Sequence, residues 1–479
     1  MGADSLTPQH HCPLQVNRRE FLAGCAACAA GVSALQAGSA VAAQPRPLDR
    51  ANKPRIRLVF AHLPSDARTW PYQGYDYEER KRELTEHLRQ ACPNVELLPA
   101  TAQNREEAQK IIESDQHVDG YLVYLIGIWT GVARAVAESG RPTVFVDDLY
   151  AGSGEFLIAY AAAKRKGLRV AGVSSSRLED VVDAVKCLEC LAKLRSAVIL
   201  DVTDHDPGDR AKVIQDTFGT QVKQIASAEL RESYAQADRA EARKLADTWI
   251  RDAERVIEPS REDIEDSAAM YLAMRELLDR HNSGAITVDC LGLVYGGKLT
   301  AYPCLGFWQL NNAGYVGACE ADLHSATTML AMSYLVGRPG YISDPVIDTS
   351  GKQVIFAHCV APTKVFGPDG PSNPYHIRSH AEDGKGACTR SLMPLGEMTT
   401  TLQFLPALQE VAVSQGKAVA NIDEAKACRN KLAVEVSDVD SFLTQWDRYG
   451  WHRVTFYGDF QRQVTQLAAL LGMKVVTEG

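Results

Sequence analysis

Between Ala318 and Cys359 the chain places acidic and imidazole side chains at spacings that let them converge. Glu320 heads an apolar stretch that is expected to be helical. Asp344 stands just beyond that helix, and His358 closes a short apolar run. Carboxylate oxygens joined by an imidazole are donors suited to manganese and other hard divalent cations. His452, placed in a loop or at a strand start far downstream, is a further donor. No set of thiolates suggests structural zinc. Cys187-Leu188-Glu189-Cys190 has zinc or redox spacing but no matching second pair. It falls in an expected helix whose stripe is Val182, Val185, Leu188 and Leu191, which makes these core thiols. A glutamate near a helix start can also act as a cap, and His324, one turn further on, is an alternative partner for Glu320. The surrounding elements decide which groups meet.

Those elements alternate. Apolar runs at 55–62, 95–98, 119–126 and 142–148 read as strands, the second stopped by Pro99. Helix-periodic stretches at 76–92, 105–114 and 130–139 lie between them. The alternation resumes at 170–174, 197–202 and 285–294 (strands) and at 177–194, 209–217, 227–256 and 260–281 (helices). Gly152-Ser153-Gly154 lacks dinucleotide-fingerprint spacing and reads as a turn. Beyond Gly340, glycine, proline and asparagine become frequent and short strands dominate, at 354–358, 398–404, 416–421 and 431–436. An amphipathic helix follows at 460–471. The expected fold is therefore α/β, with two doubly wound parallel-sheet domains at 54–168 and 169–340, followed by a smaller, mainly β domain at 341–479.

Composition narrows the class. The chain has 479 residues, of which 46% are hydrophobic and 23% charged, with a formal net charge of −9. That balance argues against nucleic acid as a partner. Asn17-Arg18-Arg19-Glu20-Phe21-Leu22 precedes an alanine-rich run that ends at a small-residue cleavage motif, Ala40-Val41-Ala42. Residues 1–42 resemble a twin-arginine export signal, so a periplasmic or secreted location is expected. Leu22-Ala23-Gly24-Cys25 follows the arginines too closely to be a lipidation box. No later run has eighteen uninterrupted apolar residues, so the mature form is not expected to enter a membrane. Removing Cys12, Cys25 and Cys28 with the leader leaves an odd number of cysteines, unlike a disulfide framework.

Two α/β layers, a β-rich tail, Cys319-Glu320-x-Asp322, Asp344, Ala357-His358-Cys359, and His452 with Tyr457-Gly458-Asp459 together resemble the L-fucose/L-arabinose isomerase superfamily. The likeness spans nearly all of the chain after the leader. It is strongest at 304–359 and from Gly450 onward, and faint in the first layer. It implies a manganese or other divalent cation between the second and third domains. Glu320 and Asp344 match the acidic ligands and the acid/base pair, and His452 matches the late histidine ligand. His358 matches a histidine that ligates the metal in arabinose-type members. A cation spanning O1 and O2 of an open-chain sugar polarises the carbonyl while a carboxylate moves a proton between adjacent carbons. Trp308, Gln309 and Asn312 offer an aromatic face and amides to a sugar or polyol. Arg378 and His380 lie in a polar loop expected on the substrate side. The likeness also implies a homotrimer or homohexamer. Ala321, His324 and Ser325 depart from the superfamily's helix pattern, and the leader departs from its mostly cytoplasmic members. An exported, non-catalytic carbohydrate-binding protein is the alternative expectation.

Overall fold

Arg55–Ala61 (β1) is an almost unbroken apolar run, which suits a strand covered on both faces. In the computed structural model, which describes residues 53–479, β1 lies inside a five-stranded parallel sheet. Its companions are Glu96–Ala102 (β2), Gly120–Leu125 (β3), Thr143–Asp147 (β4) and Val170–Ser174 (β5), in the order β2-β1-β3-β4-β5. The leader-like stretch 1–42 lies outside the described residues. Parallel neighbours require crossovers, supplied by helices Tyr77–Ala91, Arg105–Ser114, Val132–Ala137 and Ser153–Arg165. Asp76 and Asn104 cap the first two by accepting from the amides of Glu79 and Glu107.

Two sequence expectations change here. β2 runs through Pro99 instead of stopping before it, because an edge strand tolerates a missing N–H. β5, read as the opening of the second layer, pairs with β4 and forms the far edge of the first sheet.

The second sheet is also parallel. It contains Val198–Val202 (β6), Gln221–Ile225 (β7), Ala285–Val288 (β9) and Val316–Cys319 (β10), in the order β10-β9-β6-β7. The two-residue strand Arg255–Val256 (β8) leaves this layer for a small sheet described below. Where one strand is expected over 285–294, β9 stops at Val288. Asp289 then caps a new helix, Cys290–Tyr295, by accepting from the Gly292 amide at 3.1 Å.

The third part is a closed barrel. Tyr341–Asp348 (β11), Gln353–His358 (β12), Met398–Leu405 (β15), Glu410–Asn421 (β16), Asn430–Glu435 (β17) and Arg453–Tyr457 (β18) are all antiparallel. They run β15-β18-β11-β12-β17-β16, and a β15–β16 ladder completes the ring. Closure removes the exposed edges that an open sheet would leave. β16 is bent by a register shift between Ala418 and Ala420. At Gly416 a Cβ would stand 2.4 Å from the Glu435 carbonyl oxygen, so β17 can approach only a glycine. Tyr375–Arg378 (β13) and Cys388–Ser391 (β14) form the small sheet with β8. Lys474–Thr477 (β19) lies parallel to the first half of β16.

Core packing joins these parts. The Leu323–Val336 helix buries Leu323, Met329 and Leu335 in the same apolar cluster as Phe404, Val454 and Phe456 of the barrel. The Gln461–Leu471 helix lies on Leu178–Ser196, where Cys187 donates to the Gln463 carbonyl and Cys190 to that of Ala331. These thiols are buried and unbridged, as the sequence implies.

Arg453, the largest wholly buried side chain, anchors the barrel end. Its Nε and Nη2 each donate to Glu478 at 2.8 Å. Its remaining protons go to the carbonyls of Trp446, Tyr449, Gly450 and His452. Removing one partner of a buried pair strands the other charge, which costs about 3–5 kcal/mol. Arg453→Ala should lower the unfolding free energy by that amount, measured as a fall in the urea midpoint.

Candidate metal centre

β10 delivers the chain to Glu320 and Ala321, both in the left-handed backbone region with φ of 65° and 48°. Two successive residues there cost about 1–3 kcal/mol each. The amide of Ala321 is fixed to the Val288 carbonyl at 3.0 Å. Glu320 therefore does not open the helix, contrary to the expectation from the sequence; it sits at the apex of a turn. The helix begins at Leu323, and Asp322 caps it by accepting from the amides of His324 and Ser325 at 3.0 and 3.1 Å. His324 is held in that first turn and does not join the cluster; burial lowers its pKa.

Barrel register assembles the other side. Asp344 of β11 pairs with Ala357, the residue before His358, and Ser343 pairs with Arg453, the residue after His452. Asp344, His358 and His452 thus end up side by side at one end of three adjacent strands, facing Glu320. The His452 Nε2 lies 3.3 Å from Asp344 Oδ1 and 3.6 Å from Glu320 Oε2, and His358 Nε2 lies 3.5 Å from Glu320 Oε1. Glu320, His358 and His452 each offer a ligand atom, and these lie within 4.8 Å of one another. Adjacent donors on a six-coordinate ion with ~2.1 Å bonds stand about 3 Å apart, so the cluster needs only a small contraction.

The electrostatics favour a cation. Both imidazoles are 4% exposed, and their Nε2 atoms have no hydrogen-bond partner. The side chains of Glu320 and Asp344 are 28% and 25% exposed, so the cluster opens on its carboxylate side. Burial alone would depress His452, but Asp322 and Asp344 overcome it and push its pKa up to about 10. Burial likewise works against the ionised Asp344, yet contact with His452 holds its pKa below the usual value. A divalent cation would take the place of the proton on His452 Nε2.

Asp322 has a second role that sequence reasoning missed. Its Oδ2 accepts from His452 Nδ1 at 3.0 Å. That bond keeps the proton on Nδ1 and presents the Nε2 lone pair, the usual arrangement behind a ligating histidine. An aspartate at a helix cap carries no signal of this, because its partner comes 130 residues later. His358 is set the other way. Its Nδ1 accepts from the Cys359 amide at 2.9 Å, so the neutral ring presents Nε2–H. In this orientation His358 Nε2 faces Glu320 at 3.5 Å without a hydrogen-bond partner, and it stands with Glu320, Asp344 and His452 around the candidate site.

The expected substrate-side residues are mostly occupied elsewhere. Trp308 is buried against Trp249 and Tyr375, with ring centroids at 5.6 and 5.1 Å, and cannot offer a face to a solute. Asn312 is also buried; it fastens a barrel loop by donating to Thr363 Oγ1 and accepting from the amides of Thr363 and Lys364. Gln309 is half-buried on the same helix. Arg378 makes a two-pronged ion pair with Glu258, pinning β13 beside β8. His380 is buried against Tyr302, with Nδ1 3.6 Å from Asp383. The aromatic group beside the cluster is Trp451, 70% exposed, which is among the groups that hold the Asp344 carboxyl below its usual range. Its position next to His452 was the available clue.

Comparison with known proteins gives a partial match. Over 187 residues the chain is 28% identical to the sulfoquinovose isomerase of Alkalicoccus urumqiensis. The match covers 37% of this chain and only 41% of that relative. No family model matches. An ABC-transporter periplasmic solute-binding protein from Actinobacillus succinogenes 130z, solved with bound D-allose, is 14% identical and covers 52% of this chain and 83% of its own. Its TM-score of 0.18 is too low to support any argument.

Asp322→Asn keeps a good helix cap but loses the anionic partner of His452. Manganese affinity should fall about 10–100-fold by isothermal titration, with far-ultraviolet circular dichroism unchanged.

Proposed function

We propose that this chain is a sugar isomerase that interconverts an aldose and a ketose at Glu320, Asp344 and His452, with a manganese or similar divalent cation. The observation that carries the reading is the meeting of two part-exposed carboxylates with two buried imidazole nitrogens that lack protein partners. The superfamily resemblance and the partial identity to a sulfoquinovose isomerase support it. The donors are oxygen and nitrogen without thiolate, as manganese prefers.

A bound cation would supply Lewis acidity at the sugar's carbonyl and vicinal hydroxyl. The chain's own groups do the rest. Glu320 or Asp344, both reachable from solvent, takes the proton from the carbon beside the carbonyl and returns it to the neighbouring carbon. The transient enediol is the sugar's own. His358 Nε2–H, aimed at the same space, donates to a substrate oxygen and steadies charge there. Trp451 offers an exposed aromatic face to the sugar's apolar side, the role the sequence pointed to at Trp308. Asp322 holds His452 in the ligating tautomer. Export by the twin-arginine route and assembly as a homotrimer or homohexamer belong to the same proposal.

The test is proton exchange at C2. Purified protein with manganese, in deuterium oxide, is given a panel of aldoses that includes sulfoquinovose, and the C2 proton is followed by nuclear magnetic resonance. Exchange should occur with at least one sugar and stop on chelation. Glu320→Gln should slow it by about 10²–10⁴-fold. Tight manganese binding with no exchange across the panel would overturn catalysis in favour of a carbohydrate-binding role.

A further inference from the structure

Asp322 holds His452 only as firmly as it is held itself. Its Oδ1 is taken by the amides of His324 and Ser325, at 3.0 and 3.1 Å. Its Oδ2 accepts from His452 Nδ1 at 3.0 Å and from Ser325 Oγ at 2.5 Å. An ionised carboxylate can only accept, so the Ser325 hydroxyl proton points at Asp322 and the Ser325 oxygen is left as an acceptor. Gln403 meets it, with Nε2 donating to Ser325 Oγ at 3.2 Å. The donors therefore run from Gln403 to Ser325 to Asp322, and they end on the oxygen that His452 also uses.

The barrel delivers Gln403. β15 lies against the Leu323–Val336 helix, where the Phe404 amide donates to Thr328 Oγ1 at 3.1 Å. That contact sets Gln403 opposite the first turn of the helix, which holds Ser325. The strand neighbours Leu402 and Phe404 are apolar and wholly buried. Gln403 is buried too, at 1% exposed, yet its Oε1 has no hydrogen-bond partner. A core amide with one end unmet is unfavourable, so an apolar side chain of similar size would suit the packing better. The bond that the amide does make is the one into the Asp322 chain.

We infer that Gln403 and Ser325 are positioning residues for the metal centre, which fix the Asp322 carboxylate so that His452 keeps its orientation, at a cost in core stability. Each bond in such a chain polarises the next. Without Gln403 the Ser325 hydroxyl is free to turn, and Oδ2 loses the contact that braces it against the pull of His452. The inference rests on the metal-centre reading and is independent of isomerisation.

Gln403→Met, Ser325→Ala and the double variant are compared with the unaltered full chain. Manganese affinity by isothermal titration should fall about tenfold in each single variant. The double variant should fall no further than Ser325→Ala, because both residues act through one chain of bonds. The urea midpoint of Gln403→Met should equal or exceed that of the unaltered chain, whereas a purely structural amide would lower it. In metal-free protein carrying 15N-labelled histidine, the Nδ1–H of His452, assigned by its loss in His452→Asn, should exchange with water faster in both single variants. Unchanged affinity and unchanged exchange in Gln403→Met, or an affinity loss matched by a lower urea midpoint, overturns the role of Gln403. Additive losses in the double variant overturn the chain. An unaltered protein that takes up no manganese counts against the metal reading, and the exchange rates then decide for or against the chain of bonds by themselves.

Discussion

The hydrogen bond between His452 and Asp322 ties together the two halves of the candidate metal centre. Asp322 belongs to the turn after β10, at the edge of a parallel sheet, and His452 belongs to the rim of the barrel. Each is already committed within its own part. Asp322 caps a helix, and His452 precedes a strand whose first residue, Arg453, is a fully buried cation of the barrel. The bond between them turns two separately stable arrangements into one site with a defined tautomer. Everything proposed for Glu320, Asp344 and His358 depends on that registration, because those groups hang from the same two parts.

The strain at Glu320 and Ala321 fits this view. Left-handed backbone at two non-glycine residues is unfavourable, and nothing in the local sequence asks for it. It persists because β10 on one side and the capped helix on the other leave two residues to reverse the chain. The reversal brings a carboxylate to the C-terminal end of a parallel sheet, the place where crevices form in such folds. The closed barrel acts similarly, since closure leaves little freedom in the spacing of β18, β11 and β12.

Much of this was legible in the sequence, and the failures have physical reasons. Both parallel sheets and the β-rich tail followed from hydrophobic periodicity, and Glu320, Asp344, His358 and His452 were all named from residue type and position. Sheet membership was not legible. β5 looks like any short apolar strand, and only its pairing with β4 assigns it to the first layer. The helix start at Glu320 was misplaced because apolar periodicity does not reveal a left-handed turn. Trp308, Asn312 and Arg378 are committed to contacts inside the protein, Trp308 by ring packing and the other two by hydrogen bonds, and sequence does not show which groups pack or pair with which. Asp322 and Trp451 were overlooked although each stands within two residues of a named ligand.

The pairing of Arg453 with Glu478 has a consequence at the metal centre. His452 is held by the carbonyl-to-guanidinium contact of its neighbour, and that guanidinium is neutralised only by a glutamate that comes later in the chain. The rim that carries His452 is therefore tied to the segment that carries Glu478, so loosening that segment is felt at His452.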